Sequence, residues 1–199
     1  KDKNHVYNGF GNAVGTVATM DAATFTWLGS YFYKDRNHIY LGFEILPVSD
    51  PATFTTLDDT GYAKDSKNVY YSYFGHNPAA GNIVPNADPK TFAPITGYGT
   101  LYDNWYSKDI QHVYIAGYPE GELRPATFMV LSSCYSKDVT TVFFYSNNDQ
   151  RQVVAGADAA TFTVLDQDLQ RNGQLSICAQ YGKDKAHVYR AGEMINGDP

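Results

Sequence analysis

Three features of the sequence predict a mostly β chain made of tandem repeats, each a β-hairpin with a short helical turn. The string Lys-Asp-x-x-x-(Val/Ile)-(Tyr/Phe) occurs six times, with its acid at Asp2, Asp35, Asp65, Asp109, Asp138 and Asp184. A second string, Thr-Phe, alternates with it at Thr24-Phe25, Thr53-Phe54, Thr91-Phe92, Thr127-Phe128 and Thr161-Phe162. Successive motif acids are 33, 30, 44, 29 and 46 residues apart. The basic unit is therefore about 30 residues, with two copies lengthened by insertions, and self-similarity of this period marks a repeat architecture. Residues 1–199 read as a single array of five to six units.

Within a unit, an aromatic stands three residues before the motif acid in five copies, at Phe32, Tyr62, Tyr106, Tyr135 and Tyr181, and marks an incoming strand. An Asp at a turn start accepts hydrogen bonds from backbone two residues on, which reverses the chain tightly. The β-branched residue and aromatic that follow, such as Ile39-Tyr40 and Val69-Tyr70, are strand chemistry and form the outgoing strand. If the acid pairs with the residue three after it, the outgoing aromatic faces the residue two before it: Tyr33, Ala63, Ser107, Ser136 or Gly182. Four of these five are small, so a large ring lies over a small neighbour. The Thr-Phe string supplies the third element, because Asp50-Pro51-Ala52-Thr53-Phe54 places an N-cap and then a proline at the first helical position. Phe54 and Leu57, and their equivalents Phe25/Leu28, Phe92/Ile95, Phe128/Leu131 and Phe162/Leu165, are expected to give the core one apolar pair per unit. Stacked units of this kind form an open solenoid-like array or, alternatively, a propeller-like ring. Both ends fall inside a unit, so a fragment of a longer chain is expected.

The copies Asp-Lys-Asn-His-Val-Tyr from Asp2, Asp-Arg-Asn-His-Ile-Tyr from Asp35, Asp-Ser-Lys-Asn-Val-Tyr-Tyr from Asp65 and Asp-Lys-Ala-His-Val-Tyr from Asp184 resemble the repeat of the bacterial DKNYY family. The copies from Asp109 and Asp138 depart from it, reading Ile-Gln-His-Val-Tyr and Val-Thr-Thr-Val-Phe after the acid. The resemblance covers essentially the whole chain. It implies a bacterial repeat protein working in the envelope or outside the cell, and it brings no catalytic residues.

Composition narrows the function classes. The chain is 43% hydrophobic and 15% aromatic, with 17 Tyr, and only 18% charged, which is a globular balance. A net charge of −6 without a Lys/Arg cluster gives no footprint for nucleic acid. No apolar run reaches the roughly 18 residues of a spanning helix, so membrane insertion is not expected. His5, His38, His112 and His187 share one repeat position, but each stands beside a single carboxylate, too few donors for a metal. Neither a nucleophile elbow nor a phosphate-binding loop occurs, and no cofactor or enzymatic activity is expected. The six motif Lys residues read as solubilising charges at exposed strand ends.

The insertions are the expected place for binding, since a repeat scaffold carries them as surface loops. One spans 75–81 and holds His76. The other spans 97–106 and concentrates Tyr98, Tyr102, Trp105 and Tyr106, residue types that anchor interfaces. Cys134 and Cys178 precede Asp138 and Asp184 in the incoming strands of adjacent units, a placement that suits a disulfide and an oxidising compartment. The reading is a non-catalytic protein-binding or structural repeat protein, extracytoplasmic, with a protein partner or self-assembly as its interaction and an immunity or adhesin-like role. The alternative is a carbohydrate-binding module acting through Trp105, and an enzyme of unrecognised type ranks below both.

Overall fold

The structure is a computed structural model, and it describes residues 1–10, 13–17, 19–57, 60–72, 82–96, 106–146, 150–166, 169–171, 174–177 and 179–195. The described chain forms several small antiparallel sheets, none of them closed. It divides into two compact units, Lys1–Pro94 with Gly117–Pro119, and Ile95–Ala116 with Glu120–Pro199.

In the first unit, Tyr7–Phe10 pairs with Ala13–Thr16 directly after the first motif. A four-stranded meander follows, Thr26–Gly29, Phe32–Lys34, Ile39–Leu41 and Glu44–Ile45. The next sheet has three strands, Thr55–Thr56, Tyr62–Lys64 and Val69–Tyr71, and a lone bridge from Tyr70 to Ile83 stands at the fourth position. In the second unit, Tyr106–Lys108 pairs with Val113–Ile115. Two more four-stranded meanders are built from Met129–Val130, Tyr135–Lys137, Val142–Ser146 and Gln150–Val153, and from Thr163–Val164, Tyr181–Lys183, Val188–Arg190 and Glu193–Ile195. A hairpin, Leu169–Arg171 with Gln174–Ile177, is inserted in the last of these.

The hairpin register is the one expected. Tyr40 faces Tyr33, Tyr70 faces Ala63, Tyr114 faces Ser107, Phe143 faces Ser136, and Tyr189 faces Gly182. The small partner is a packing requirement in the last pair, because a Cβ on Gly182 would stand 2.3 Å from the ring of the fully buried Phe162.

Among the described residues there is no helix, and the Asp-Pro-Ala-Thr-Phe segment closes one turn before the chain enters Thr55–Thr56. In that turn Thr53 N and Phe54 N both donate to Asp50 O, at 3.2 and 3.0 Å, and Ala52 N donates to Asp50 Oδ1 at 2.9 Å. The N-cap is therefore present without a helix behind it. The following Thr-Thr and Thr-Val residues are β-branched and pair with the incoming strand, as Thr55 does with Lys64, so the ladder takes over backbone groups a second turn would use. Phe92, Phe128 and Phe162 are buried, whereas Leu165, expected in the core beside Phe162, is exposed.

Each apolar cluster lies between one hairpin and the next. Tyr40 packs with Val6, Met20 and Ala22 of the preceding repeat, and Tyr70 with Phe32 and Ile39. In the second unit Phe143 packs with Tyr106 and Val113, and Tyr189 with Tyr135 and Val142. A hairpin alone leaves its aromatic face wet, and stacking on a neighbour removes that surface from water at roughly 25 cal/mol per Å².

Candidate functional site

The chemistry-bearing residues of the repeat converge at the hairpin tip, and the motif Asp is the hub. Asp35 is buried, and its Oδ1 accepts from Asn37 N and His38 N, both at 2.8 Å. Its Oδ2 accepts from Tyr40 Oη at 2.6 Å and from Asp21 N, in the preceding Thr-Phe turn, at 3.0 Å. Asp65 repeats the set with Lys67 N, Asn68 N, Tyr70 Oη and Asp50 N, and Asp184 with Ala186 N, His187 N, Tyr189 Oη and Asp158 N. Asp109 takes Gln111 N, His112 N and Tyr114 Oη. A buried carboxylate is costly unless hydrogen bonds replace its hydration, and four donors do so here.

The same donors set the charge state. Burial pushes the Asp35 carboxyl up, but hydrogen bonds from Tyr40, Asp21, Asn37 and His38 outweigh it and hold the group down at about 2. Burial and the bond to Asp184 push the Tyr189 hydroxyl up to about 12. Their partners shift the same way, Tyr40 up and Asp184 down, so each of these two Asp–Tyr pairs is a carboxylate and a neutral phenol across the physiological range. In the copy from Asp138 the partner is Phe143, which lacks a hydroxyl, and Thr140 Oγ1 donates to Asp138 Oδ1 at 3.0 Å instead.

Two further repeat residues complete the tip. The Thr of four of the five Thr-Phe strings accepts the N–H of the residue after the motif acid: Arg36 N to Thr24 Oγ1, Ser66 N to Thr53 Oγ1, Val139 N to Thr127 Oγ1 and Lys185 N to Thr161 Oγ1, at 3.0 to 3.3 Å. The motif Lys reaches the next Thr-Phe turn. Lys34 Nζ donates to Pro51 O, Lys64 Nζ to Pro89 O at 2.7 Å, Lys108 Nζ to Pro125 O at 3.2 Å, and Lys137 Nζ to Ala159 O at 2.8 Å. These four Lys are half-buried, in place of the solvated charges expected from their position. Sequence reasoning missed this role because the acceptor is a backbone carbonyl 17 to 25 residues away, which side-chain identity does not advertise.

The repeat His residues serve the same tip. The Nδ1 atoms of His38, His112 and His187 lie 3.7 to 3.8 Å from the motif carboxylate of their own hairpin, and each ring packs on the adjacent Tyr. Among the described residues no group of three or more His, Cys, Asp or Glu is arranged to hold a metal.

Of the residues expected in a binding loop, His76, Tyr98, Tyr102 and Trp105 lie outside the described residues, as does Cys178. Tyr106 begins an incoming strand and is buried against Phe128, with ring centroids 5.5 Å apart. Cys134 is buried in the cluster around Tyr135 and Phe162. The exposed aromatics Trp27 and Tyr31, on the first meander, carried no signal in the sequence beyond residue type.

A buried Asp–Tyr tip, bonded by a Thr of the preceding turn and tied through its own Lys to the following one, defines a class of tandem β-repeat protein whose motif residues join one hairpin to the next. The chain belongs to the DKNYY family, which matches over residues 1–147. No curated protein and no solved structure matches it. No helix among the described residues is long and apolar enough to cross a membrane.

Proposed function

We propose that this chain is a non-catalytic protein-binding or structural repeat protein of the bacterial envelope or exterior, with an immunity or adhesin-like role. The observation that carries this reading is where the recurrent polar groups are used. The motif Asp, Tyr, Thr and Lys hydrogen-bond one another and the backbone of adjoining turns, so their chemistry goes into joining repeats. An array joined this way offers surface, and we take it to be open and solenoid-like within each compact unit. A Cys134–Cys178 bridge belongs to the same reading, since it requires an oxidising compartment. Immobilised chain is expected to bind a purified partner from the cell envelope saturably. Turnover of a substrate by the purified chain, with no partner bound, would overturn the reading.

A carbohydrate-binding role is the second reading, favoured by the exposure of Trp27 and Tyr31, 66% and 58%, on one hairpin. Aromatic faces in that setting stack on sugar rings. Glycan-array binding lost in Trp27→Ala or Trp105→Ala supports it, and a blank array removes it.

A further inference from the structure

The residue after the motif acid is exposed at all six hairpin tips, and at four of them it is polar: Lys3, Arg36, Ser66 and Lys185. At the consecutive tips from Asp109 and Asp138, both in the second compact unit, it is apolar, Ile110 at 72% exposure and Val139 at 57%. Packing does not require this, because Val139 N makes the same bond to a turn Thr that Arg36, Ser66 and Lys185 make. A second position changes in step. Two residues after the turn Thr, other repeats carry Thr26, Thr55, Ala93 and Thr163, whereas the turn between these two tips is followed by Met129, 55% exposed.

These three apolar residues flank one turn, Arg124–Phe128. Val139 N donates to Thr127 Oγ1 at 3.3 Å, and Met129 pairs with Lys137, two residues before Val139. Lys108 Nζ donates to Pro125 O at 3.2 Å, which brings the Asp109–Ile110 tip to the same turn. The charge at this turn is reversed as well. Other repeats begin the turn with an acid that pairs with the residue after the motif acid, Asp21 Oδ2 with Arg36 Nε at 2.6 Å and Asp158 Oδ2 with Lys185 Nζ at 3.0 Å. Here Arg124 takes the acid's position and Val139 the cation's, and Arg124 is in no ion pair among the described residues. Two residues before it, the Glu122 side chain is 78% exposed, with Oε2 on Arg151 Nη2 at 3.3 Å.

We propose that Ile110, Met129 and Val139, with Arg124 and Glu122, form a contact surface for a second copy of this chain. The surface is self-complementary. A two-fold axis sets the same patch of two copies face to face, so a contact from one residue to another is matched by its reciprocal. Arg124 of each copy then meets Glu122 of the other, which supplies the carboxylate that Asp21 and Asp158 supply at their own joints. The apolar side chains leave water against one another. Hairpin tips present little area, so the dimer is of the weak class, with a dissociation constant on the order of 100 µM. The surface rests on the protein-binding reading above and names the partner as a second copy.

The test is sedimentation velocity of the full chain from about 10 µM to about 1 mM, which is expected to show monomer passing into dimer. Ile110→Ser with Val139→Ser gives both tips the residue found at Ser66, and Arg124→Asp gives the turn the acid found at Asp50 and Asp158. Both variants use residues the repeat already carries in these places, so they are expected to melt with the unsubstituted chain. Each is expected to weaken association at least about tenfold. Arg124→Asp and Glu122→Arg chains, each monomeric alone, are expected to pair when mixed, because each then sets its charge opposite the other's. A single monomeric species at every concentration overturns the proposal, and so does association that both variants leave unchanged. Charge-swapped chains that stay apart when mixed overturn it too. A chain that binds an envelope partner but stays monomeric removes this surface and leaves the protein-binding reading standing. One that dimerises and binds no envelope partner does the reverse.

Discussion

At the scale of the residue, the motif Asp shows why a buried charge is tolerated here. Its hydrogen bonds run to donors from its own tip, from a Tyr five residues on and from a turn 14 to 26 residues upstream. Tyr40→Phe keeps the packed ring and deletes the Oη donor to Asp35, so it should cost about 1.5 to 3 kcal/mol, the scale of a hydrogen bond to a charged group. Tyr40→Ala should cost about 3 to 5 kcal/mol, since the ring is fully buried. Urea unfolding of both variants separates the two contributions, and a Tyr40→Phe variant as stable as the unsubstituted chain would mean that the hydroxyl contributes nothing. The pH dependence follows from the same contacts. Asp35 lies at about 2 in the folded chain against 3.8 unperturbed, so its contribution is complete above about 4 and is lost as pH falls through 2. Tyr189 is raised from 10.0 to about 12, so its contribution is complete below 10 and is lost as pH rises through 12. A melting temperature level between these limits and falling outside both is the expected profile.

At the scale of the element, the Thr-Phe turns at 21–25, 50–54 and 158–162 are each held between the Lys of one motif and the Asp of the next. Lys64→Met keeps most of the aliphatic stem and removes the bond to Pro89 O, so it should cost about 0.5 to 1.5 kcal/mol. Hydrogen exchange is expected to quicken at Thr91 and Phe92, whose amides donate to Asp88 O in that turn, before it does in the strands. Unchanged protection there would show that the Lys only solvates the surface. Gly182→Ala puts a methyl into the Phe162 ring and should cost about 1 to 3 kcal/mol by overpacking. The pairing of these elements was legible in the sequence, because the small residues opposite four of the five outgoing aromatics make sense in one register only. The return strand was not. It is closed in the last meander by Ala191 and Gly192, both at positive φ, and Gly192 has room for no side chain beside Phe144 and Gln152. An Ala-Gly pair is a turn signal, yet the strand behind it, Glu193–Ile195, is exposed and lacks the apolar alternation that marks a strand.

At the scale of the whole molecule, apolar clusters between successive hairpins hold the repeats together within each compact unit, so a cross-link between two repeats of the second unit tests that packing directly. If Cys134 and Cys178 are bridged, the closed loop of roughly 45 residues should stabilise the chain by roughly 3 to 4 kcal/mol in the chain-entropy model. Reduction is expected to lower the melting temperature by several degrees and to leave the strand signal at 25 °C intact. Two thiols titrating in the folded, unreduced chain would remove the bridge and, with it, the argument for an oxidising compartment.

The sequence by itself determined the repeat, the β class, the hairpin tips and the strand register, because these depend on contacts within about ten residues and on side-chain size. Only the tertiary structure decided that Lys34, Lys64, Lys108 and Lys137 join repeats, that the residues after a Thr-Phe turn pair with the incoming strand, and that Tyr106 belongs to the core. Each of these is settled by a partner distant in sequence: a carbonyl in the next turn, a ladder that claims the backbone, or a Phe ring from the following turn. Residue type records the capacity for such a contact, and packing selects which capacity is used.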